Sequence, residues 1–298
     1  MIKNIQSLFD NPLTLPTIVL LCTSIAWGVN WWPLKTLNTL GLEGLILIFV
    51  SHAVLFIVLV PFGIGRFQFR QYWKPLIGIS LAGGTAIVCF TYALMYGDII
   101  RVMVLFYLLP VWGVLGGKIF LGEAIGVHRA CGVVIALIGA FLILDGFQVL
   151  EKPPSWIDFF AFLSGLTFAI NNLLFRGVER VPLIPKAMMM FTGCVFISGS
   201  LLAVGVQEVP LNIEASTWGW LLLYTLTWLI FANIGSQWAI VRMEAGRSSI
   251  IIITELVAAV ISAMLIAGER LTSLEGIGCM LVITAAVLET MRPGQAKD

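Results

Sequence analysis

The chain has 298 residues, of which 59% are hydrophobic and only 11% are charged, and its formal net charge is +1. Soluble proteins contain about 25% charged residues, so this chain has too few charges to cover a water-facing surface. The composition therefore predicts a polytopic membrane protein with the lipid bilayer as its surroundings. No basic cluster indicates a nucleic-acid partner.

Apolar runs follow one another along the whole chain, and each is long enough, at roughly 20 residues, to cross a bilayer as a helix. The ten runs cover residues 16–38, 43–63, 75–96, 100–119, 125–145, 156–176, 185–206, 217–241, 247–267 and 272–290. The longest interruption is 146–155, near the middle of the chain, and it contains Pro153 and Pro154. We interpret it as the linker between two halves, residues 1–146 and 147–298.

The two halves carry the same pattern, in which an apolar run, a Gly-Glu pair and a second apolar run follow one another. The matching positions are Arg101 with Arg247, Gly122-Glu123 with Gly268-Glu269, Gly132 with Gly278, and Asn30 with Asn171. Because five helices is an odd number, the second half begins on the opposite side of the membrane. The sequence therefore predicts an all-α fold of ten transmembrane helices, built as two inverted five-helix repeats.

Positive charge is distributed unequally between the two sides of the predicted membrane. Thirteen of the 17 Lys and Arg residues lie on the side of the N-terminus, and four lie on the other side. All loops are short enough for the positive-inside rule to apply. We therefore expect both termini to be cytoplasmic.

The Gly-Glu pairs have an expected structural role. Glu123 and Glu269 each come just before a helix, where a carboxylate accepts free N–H groups and is favoured by the helix dipole. We interpret the pairs as tight turns, with a direct functional role as the alternative. Small residues in the helices that follow, such as Gly139 and Gly278, allow close helix packing. These helices are expected to be scaffold or dimer-facing elements outside the substrate path.

One acidic residue lies deep in an apolar run. Glu255 is near the middle of the ninth run, where insertion of a charge costs about 2.5–3.5 kcal/mol. We expect it to face an aqueous cavity or a partner, and either to contact a substrate amine or to take up a proton. The alternative is a neutral carboxyl that is hydrogen-bonded between helices. The other deep titratable residue, His52, is expected to make an interhelical hydrogen bond, with a functional site as the alternative.

Amides and aromatic rings complete the set of candidate site residues. Asn30, Asn171 and Gln237 lie inside their helices, where amides either bind a charged ligand group or hold helices together. The deeper aromatic residues are candidates for the wall of a cavity for aromatic or cationic ligands, with lipid-facing packing as the alternative. They are Trp27, Tyr92, Tyr107 and Trp238.

Pro110 interrupts the fourth run near its middle. A proline there removes one backbone hydrogen bond and frees a carbonyl. Interrupted helices often line the binding sites of transporters or flex during gating. We therefore include Pro110 among the candidate site residues.

Enzyme signatures are missing from the sequence. It contains no HExxH, no GxSxG and no Walker A motif. The five cysteines all lie in apolar runs without a CxxC spacing, as is typical of packing residues. We therefore expect neither catalysis nor a metal or other cofactor.

The Gly-Glu turns at Gly122 and Gly268, the Pro110 helix and the five-plus-five repeat resemble the drug/metabolite transporter superfamily, in its EamA-type branch. The opening segment 27–35 and Tyr92-Ala93 are most similar to the YddG-type aromatic amino acid exporters. This resemblance implies an exporter of the bacterial inner membrane, with a central cavity lined by the first, third, fourth, sixth, eighth and ninth helices. One departure is that Trp27 and Phe168 stand in the first helices where the four-helix multidrug members carry an essential acid.

These observations together predict a secondary transporter that exports aromatic and related amino acids by alternating access around a cavity near the membrane midplane. The alternative within this class is an exporter of other metabolites or drugs, such as nucleotide sugars or cationic compounds. A channel, a receptor and a membrane enzyme are the other classes. The predicted partners are a small-molecule substrate and the bilayer, and a monomer is consistent with the sequence.

Overall fold

The computed structural model of the chain describes residues 13–63, 69–147, 153–209, 212–268 and 270–291. Within these residues, nine helices are long and apolar enough to cross a membrane, and one shorter apolar helix accompanies them. In chain order they are α1 (Thr14–Thr39), α2 (Gly44–Gly63), α3 (Phe69–Tyr96), α4 (Ile99–Leu121), α5 (Val127–Ile143), α6 (Trp156–Gly177), α7 (Leu183–Ala203), α8 (Ala215–Ile240), α9 (Ala245–Ala267) and α10 (Ser273–Met291). The predicted all-α fold with ten helices is confirmed.

Four of the helices are irregular near their middle. The segments are Thr14–Val29 and Trp31–Thr39 in α1, and Ile99–Phe106 and Leu109–Leu121 in α4. In α8 they are Ala215–Leu223, a π-helical turn Tyr224–Leu229, and Ile230–Ile240. In α9 they are Ala245–Ile252, Thr254–Ser262, and a π-helical turn Ala263–Ala267. Backbone groups near such breaks are free to contact ligands or to flex.

The breaks in α4 and α9 occur at matching positions of the two halves. The offset that takes Gly122 to Gly268 also takes Tyr107, at the break in α4, to Ile253, at the break in α9. Pro110 lies in the first turn after the first break, a position that proline favours. The second half has Leu256 there, so α9 breaks without a proline. The repeat therefore includes these two breaks as well as the turns, whereas α6 and α3, the counterparts of α1 and α8, have no break near their middle.

Helices of the first half pair with helices of the second. α5 packs on α10, α2 on α7, and α4 on α9. In addition, α1 packs on α8 and α9, and in the same way α6 packs on α3 and α4. Two repeats related by a twofold axis are expected to show these pairings. The contact of α3 with α7 is not matched in the same way, because it is extensive whereas that of α8 with α2 is small. The boundary between the halves at residues 146 and 147 stays a prediction.

The glycines of the two Gly-Glu turns and the small residues of the helices that follow have the expected structural roles. Gly122 ends α4 and Gly268 ends α9, both in the left-handed conformation with φ of 70° and 71°. Glu269 lies outside the described residues. A Cβ atom on Gly139 would lie 2.8 Å from the carbonyl oxygen of Gly278, so the backbones of α5 and α10 touch. The predicted close packing by small residues is confirmed, and it occurs within one chain.

This contact leads to a stability prediction. Alanine is a better helix former than glycine by about 1 kcal/mol, yet Gly139→Ala should lower the melting temperature of the purified protein, because overpacking costs about 1–3 kcal/mol. Gly219→Ala in α8 is the matched control, since nothing lies within 4 Å of its Cβ position, and its melting temperature should be unchanged or higher. Equal melting temperatures for the two variants would contradict the α5–α10 contact.

The hydrogen bonds of His52 differ from the expectation. Its Nδ1 lies 2.9 Å from the Ile48 carbonyl oxygen in the same helix, and the ring packs edge-on against Phe191 of α7 at 5.6 Å. The prediction of an interhelical hydrogen bond is wrong, because the carbonyl one turn earlier in α2 lies within reach. At this point α2 and α7 are in contact through the packed rings of His52 and Phe191.

Candidate functional site

Two broken helices from different halves meet at a tyrosine and a carboxylate. Tyr107 lies at the break of α4, and Glu255 lies in the first turn of the second segment of α9. The Tyr107 hydroxyl donates a hydrogen bond to Oε1 of Glu255. In the part of the chain that the structure describes, no Lys or Arg nitrogen lies within 4.0 Å of this carboxylate. Glu255 is therefore a carboxyl acceptor whose protein partner is a neutral hydroxyl.

Aromatic rings adjoin the Tyr107 side of this contact. The ring of Phe106 lies 5.3 Å from that of Tyr107, 4.7 Å from Phe90 of α3 and 5.8 Å from Phe168 of α6. Three helices thus contribute to one aromatic wall. Phe90 and Phe106 were not among the predicted site residues, because a phenylalanine in an apolar run looks the same whether it faces lipid or a site.

The amides of α6 and α8 form a second group. Asn171 Nδ2 donates to Asn172 Oδ1 at 3.3 Å, and Gln237 Nε2 donates to the same oxygen at 3.1 Å. Asn171 Oδ1 and Gln237 Oε1 are buried without a hydrogen-bond partner. Buried acceptors without a partner are unfavourable by about 1–3 kcal/mol each, so this group can take a donor from a ligand. The structure thus brings two of the predicted amides together.

Asn30 lies elsewhere, at the break of α1. Its Oδ1 accepts a hydrogen bond of 3.0 Å from the hydroxyl of Tyr224, which begins the π-helical turn of α8. One turn earlier, Trp27 packs on the core formed by α2, α3, α7 and α8. These contacts join the first half to α8 at two irregular points.

The two remaining predicted aromatic residues lie in different surroundings. Tyr92 has its ring contacts with Tyr96 at 4.7 Å and with Phe160 of α6 at 5.1 Å. Trp238 lines an apolar groove whose other walls come from α1, α2 and α7. That groove has no lining residue from α4 or α9. Trp238 also packs on a buried cluster that includes Leu109 of α4 and Ile251 and Ile252 of α9.

A buried ionic network joins the halves at the face where α1 begins, here termed the N-terminal face. The Arg129 guanidinium, fully buried in α5, lies 2.5 Å from Glu244, 3.4 Å from Glu289 and 3.5 Å from Glu123. Arg176, at the end of α6, lies 3.0 Å from Glu123. The first half contributes Glu123 and Arg129, and the second half contributes the rest. The sequence does not reveal this network, because its members lie far apart along the chain.

Glu123 caps a different helix from the one expected. Its Oε1 accepts a hydrogen bond of 2.8 Å from the N–H of Ala245, and its Oε2 accepts one of 3.4 Å from that of Gly246, both in the first turn of α9. The helix that follows it, α5, begins after Gly126 without a side-chain cap. The expectation that Glu123 caps α5 is wrong, because its carboxylate lies against the N-terminus of α9. The Gly-Glu turn thereby links the two halves.

Comparisons with known proteins agree with this architecture. The sequence matches the EamA-like transporter family over residues 14–145 and again over residues 155–291, once in each half. No curated protein matches it. Among 28 matching chains of solved structures, one described as "Crystal structure of protein" has a TM-score of 0.74 at 15% identity, over 93% of this chain and 97% of that chain. At this identity the likeness shows the fold alone.

The family match covers most of the chain, and the ten apolar helices agree with it. The protein is a multi-pass membrane protein, and its substrate is a small molecule that crosses the bilayer. The chain therefore belongs to the EamA-like transporter family of the drug/metabolite transporter superfamily, and it is a transporter of metabolites rather than an enzyme.

Proposed function

We propose that this chain is a secondary transporter that exports aromatic and related amino acids across the bacterial inner membrane. Transport occurs by alternating access of the two inverted halves around a cavity near the membrane midplane. Both termini are cytoplasmic in this proposal, so the N-terminal face with its ionic network is the cytoplasmic face.

The observation that carries the proposal is the contact between Tyr107 and Glu255. A neutral hydroxyl is a weaker partner for a carboxylate than an ammonium group, because charge-assisted hydrogen bonds are roughly twice as strong as neutral ones. The ammonium group of an amino acid can therefore displace the tyrosine. Since the two residues belong to different halves, this exchange couples substrate binding to the contact between the halves.

The aromatic wall supports the choice of substrate side chain. The ring of Phe106 lies 5.3 Å from that of Tyr107, and the rings of Phe90 and Phe168 lie 4.7 and 5.8 Å from that of Phe106. These separations are typical of stacked and edge-to-face rings. An aromatic amino acid whose ammonium group lies on Glu255 places its ring within reach of this wall. Trp27 and Tyr92 are proposed to extend the apolar wall.

The amides and the helix breaks have roles along the path. We assign the free oxygens of Asn171 and Gln237 as further acceptors for the substrate's ammonium group, nearer to the N-terminal face. The Asn30 amide would bind the substrate carboxylate once Tyr224 has moved away. The breaks at Pro110 and at Ile253 are the points at which α4 and α9 bend. Trp238 is proposed as an outer part of the apolar wall, since it packs on the buried cluster with Leu109 and Ile251 as well as lining the groove.

The test is flux through the purified protein in liposomes. Labelled phenylalanine and tryptophan should cross at a rate that saturates with concentration, and empty liposomes should show only slow leakage. A channel would give flux that does not saturate, and a receptor would give none. The absence of saturable flux for every amino acid would overturn the substrate assignment.

A second candidate, transport of organic cations, has one specific observation in its favour. Glu255 has a neutral hydroxyl partner and no cationic neighbour in the described chain, and such a site suits a ligand with a single positive charge. Phenethylamine, which lacks the carboxylate of phenylalanine, distinguishes the two. Weaker inhibition of flux by phenethylamine than by phenylalanine supports the amino acid, and stronger inhibition supports the cation.

A further inference from the structure

An apolar groove runs along the outer surface of the bundle at the seam between the halves. It has a volume of about 660 Å³. Its walls come from α1 and α2 of the first half and from α7 and α8 of the second. The lining is apolar and includes Leu15, Val19, Leu59, Ile184, Ile234 and Trp238. A molecule in this groove would contact both halves at once.

The side chain of Arg242 lies at one end of the groove, one helical turn beyond Trp238. The Arg242 guanidinium lies over the Trp238 ring, 4.1 Å from its centroid, and its NH1 donates a hydrogen bond of 2.8 Å to the Trp238 carbonyl oxygen. These two contacts hold the side chain at the rim. Within the described residues no carboxylate lies within 4.0 Å of it. Its remaining N–H donors are therefore available to an anion.

The groove lies in the membrane leaflet next to the N-terminal face. Leu15 and Ile184 are near the beginnings of α1 and α7, and Leu59 is near the end of α2. Along α8 the lining extends from Ile230 to Trp238, about 12 Å at the rise of an α-helix. One leaflet provides roughly half of a hydrocarbon core that is about 30 Å thick. The groove thus spans most of one leaflet, and Arg242 lies at the level of the lipid headgroups.

We propose that the groove and Arg242 form a binding site for an anionic phospholipid, with one acyl chain in the groove and the phosphate on the guanidinium. The planar guanidinium matches a phosphate group with two parallel hydrogen bonds. A lipid with a choline headgroup has the same phosphate group but also a positively charged choline, which the Arg242 guanidinium repels. The bound lipid contacts both halves and stabilises their arrangement in this structure.

The test uses the full chain purified in detergent. Its melting temperature is measured with added phosphatidylglycerol and with phosphatidylcholine of the same acyl chains. We expect phosphatidylglycerol to raise the melting temperature more than phosphatidylcholine does. In Arg242→Gln this difference should vanish, and phosphatidylglycerol should bind about tenfold more weakly, the effect of losing a charged hydrogen-bond donor. Lys118→Gln is the matched control, since Lys118 is an exposed cation at the same face, in α4. In this variant phosphatidylglycerol should still raise the melting temperature more than phosphatidylcholine does.

Two further measurements distinguish the contribution of the acyl chain to the stabilisation from that of the headgroup. Ile234→Trp fills the groove and should remove the stabilisation by phosphatidylglycerol, although Arg242 is retained. Inorganic phosphate alone should give no stabilisation. The proposal is overturned if the two lipids act equally on the unmodified chain, if Arg242→Gln retains the difference, or if phosphate alone reproduces the effect. None of these readouts depends on transport.

Discussion

Arg129→Ala should abolish the stable fold of the purified protein. The Arg129 guanidinium is fully buried and lies within 3.5 Å of three carboxylates, those of Glu123, Glu244 and Glu289. Removal of one partner from a buried ion pair costs about 3–5 kcal/mol, and here one substitution leaves three acids without their shared cation. This loss is a large part of a typical stability of about 5–15 kcal/mol. Size-exclusion chromatography and the melting temperature in detergent provide the measurement.

The controls separate this network from a general effect of charge. Lys118→Ala removes an exposed cation from the same face and should change the melting temperature little, because exposed ion pairs contribute at most about 1 kcal/mol. The double variant Arg129→Met, Glu244→Gln should recover part of the lost stability, since Glu123 keeps Arg176 at 3.0 Å and Glu289 keeps Arg247 at 3.9 Å. A melting temperature for Arg129→Ala equal to that of Lys118→Ala would show that the network does not hold the halves together.

Glu255→Gln should reduce amino acid flux in liposomes by about tenfold or more, because the substrate's ammonium group loses a charge-assisted hydrogen bond of about 1.5–3 kcal/mol. Glutamine has nearly the same shape and can still accept the Tyr107 hydroxyl. The melting temperature should therefore stay close to that of the unmodified protein. Initial rates over a range of phenylalanine concentrations distinguish weaker binding from slower exchange.

Two variants accompany this measurement. Tyr107→Phe keeps the carboxylate but removes its hydroxyl partner, and it should retain saturable flux. Glu208→Gln, an exposed acid in the loop after α7, should have no effect. If Glu255→Gln transports at the rate and with the pH profile of the unmodified chain, Glu255 is not part of the substrate site.

The fold could be predicted from the sequence because a bilayer imposes strong rules. A helix must be about 20 residues long to cross it, and the Gly-Glu turns revealed the repeat. The break in α4 was indicated by Pro110. The matching break at Ile253 carries no such residue, and local bonds such as that from the Thr254 hydroxyl to the Ile251 carbonyl at 2.7 Å accompany it. Sequence patterns identify a proline but not a bend made by side-chain bonds to the backbone.

The candidate site could be predicted only in part. Glu255 and Tyr107 were each singled out, one as a deep acid and one as a deep aromatic residue, but nothing in the sequence shows that they meet across 148 residues. Trp238 illustrates a second difficulty in an apolar helix. A tryptophan that lines an outer groove and one that lines a central cavity have the same neighbours in sequence, and only the packing of α8 against α1 and α7 distinguishes them.

The most direct test of the central claim is counterflow of phenylalanine. Liposomes that contain the purified protein are filled with unlabelled phenylalanine and diluted into a trace of labelled phenylalanine. A carrier that alternates between two faces exchanges one molecule for another, so we predict a transient accumulation of label above its equilibrium level. Equilibration without this overshoot would contradict alternating access, and no entry of label for any amino acid would contradict the proposed substrate.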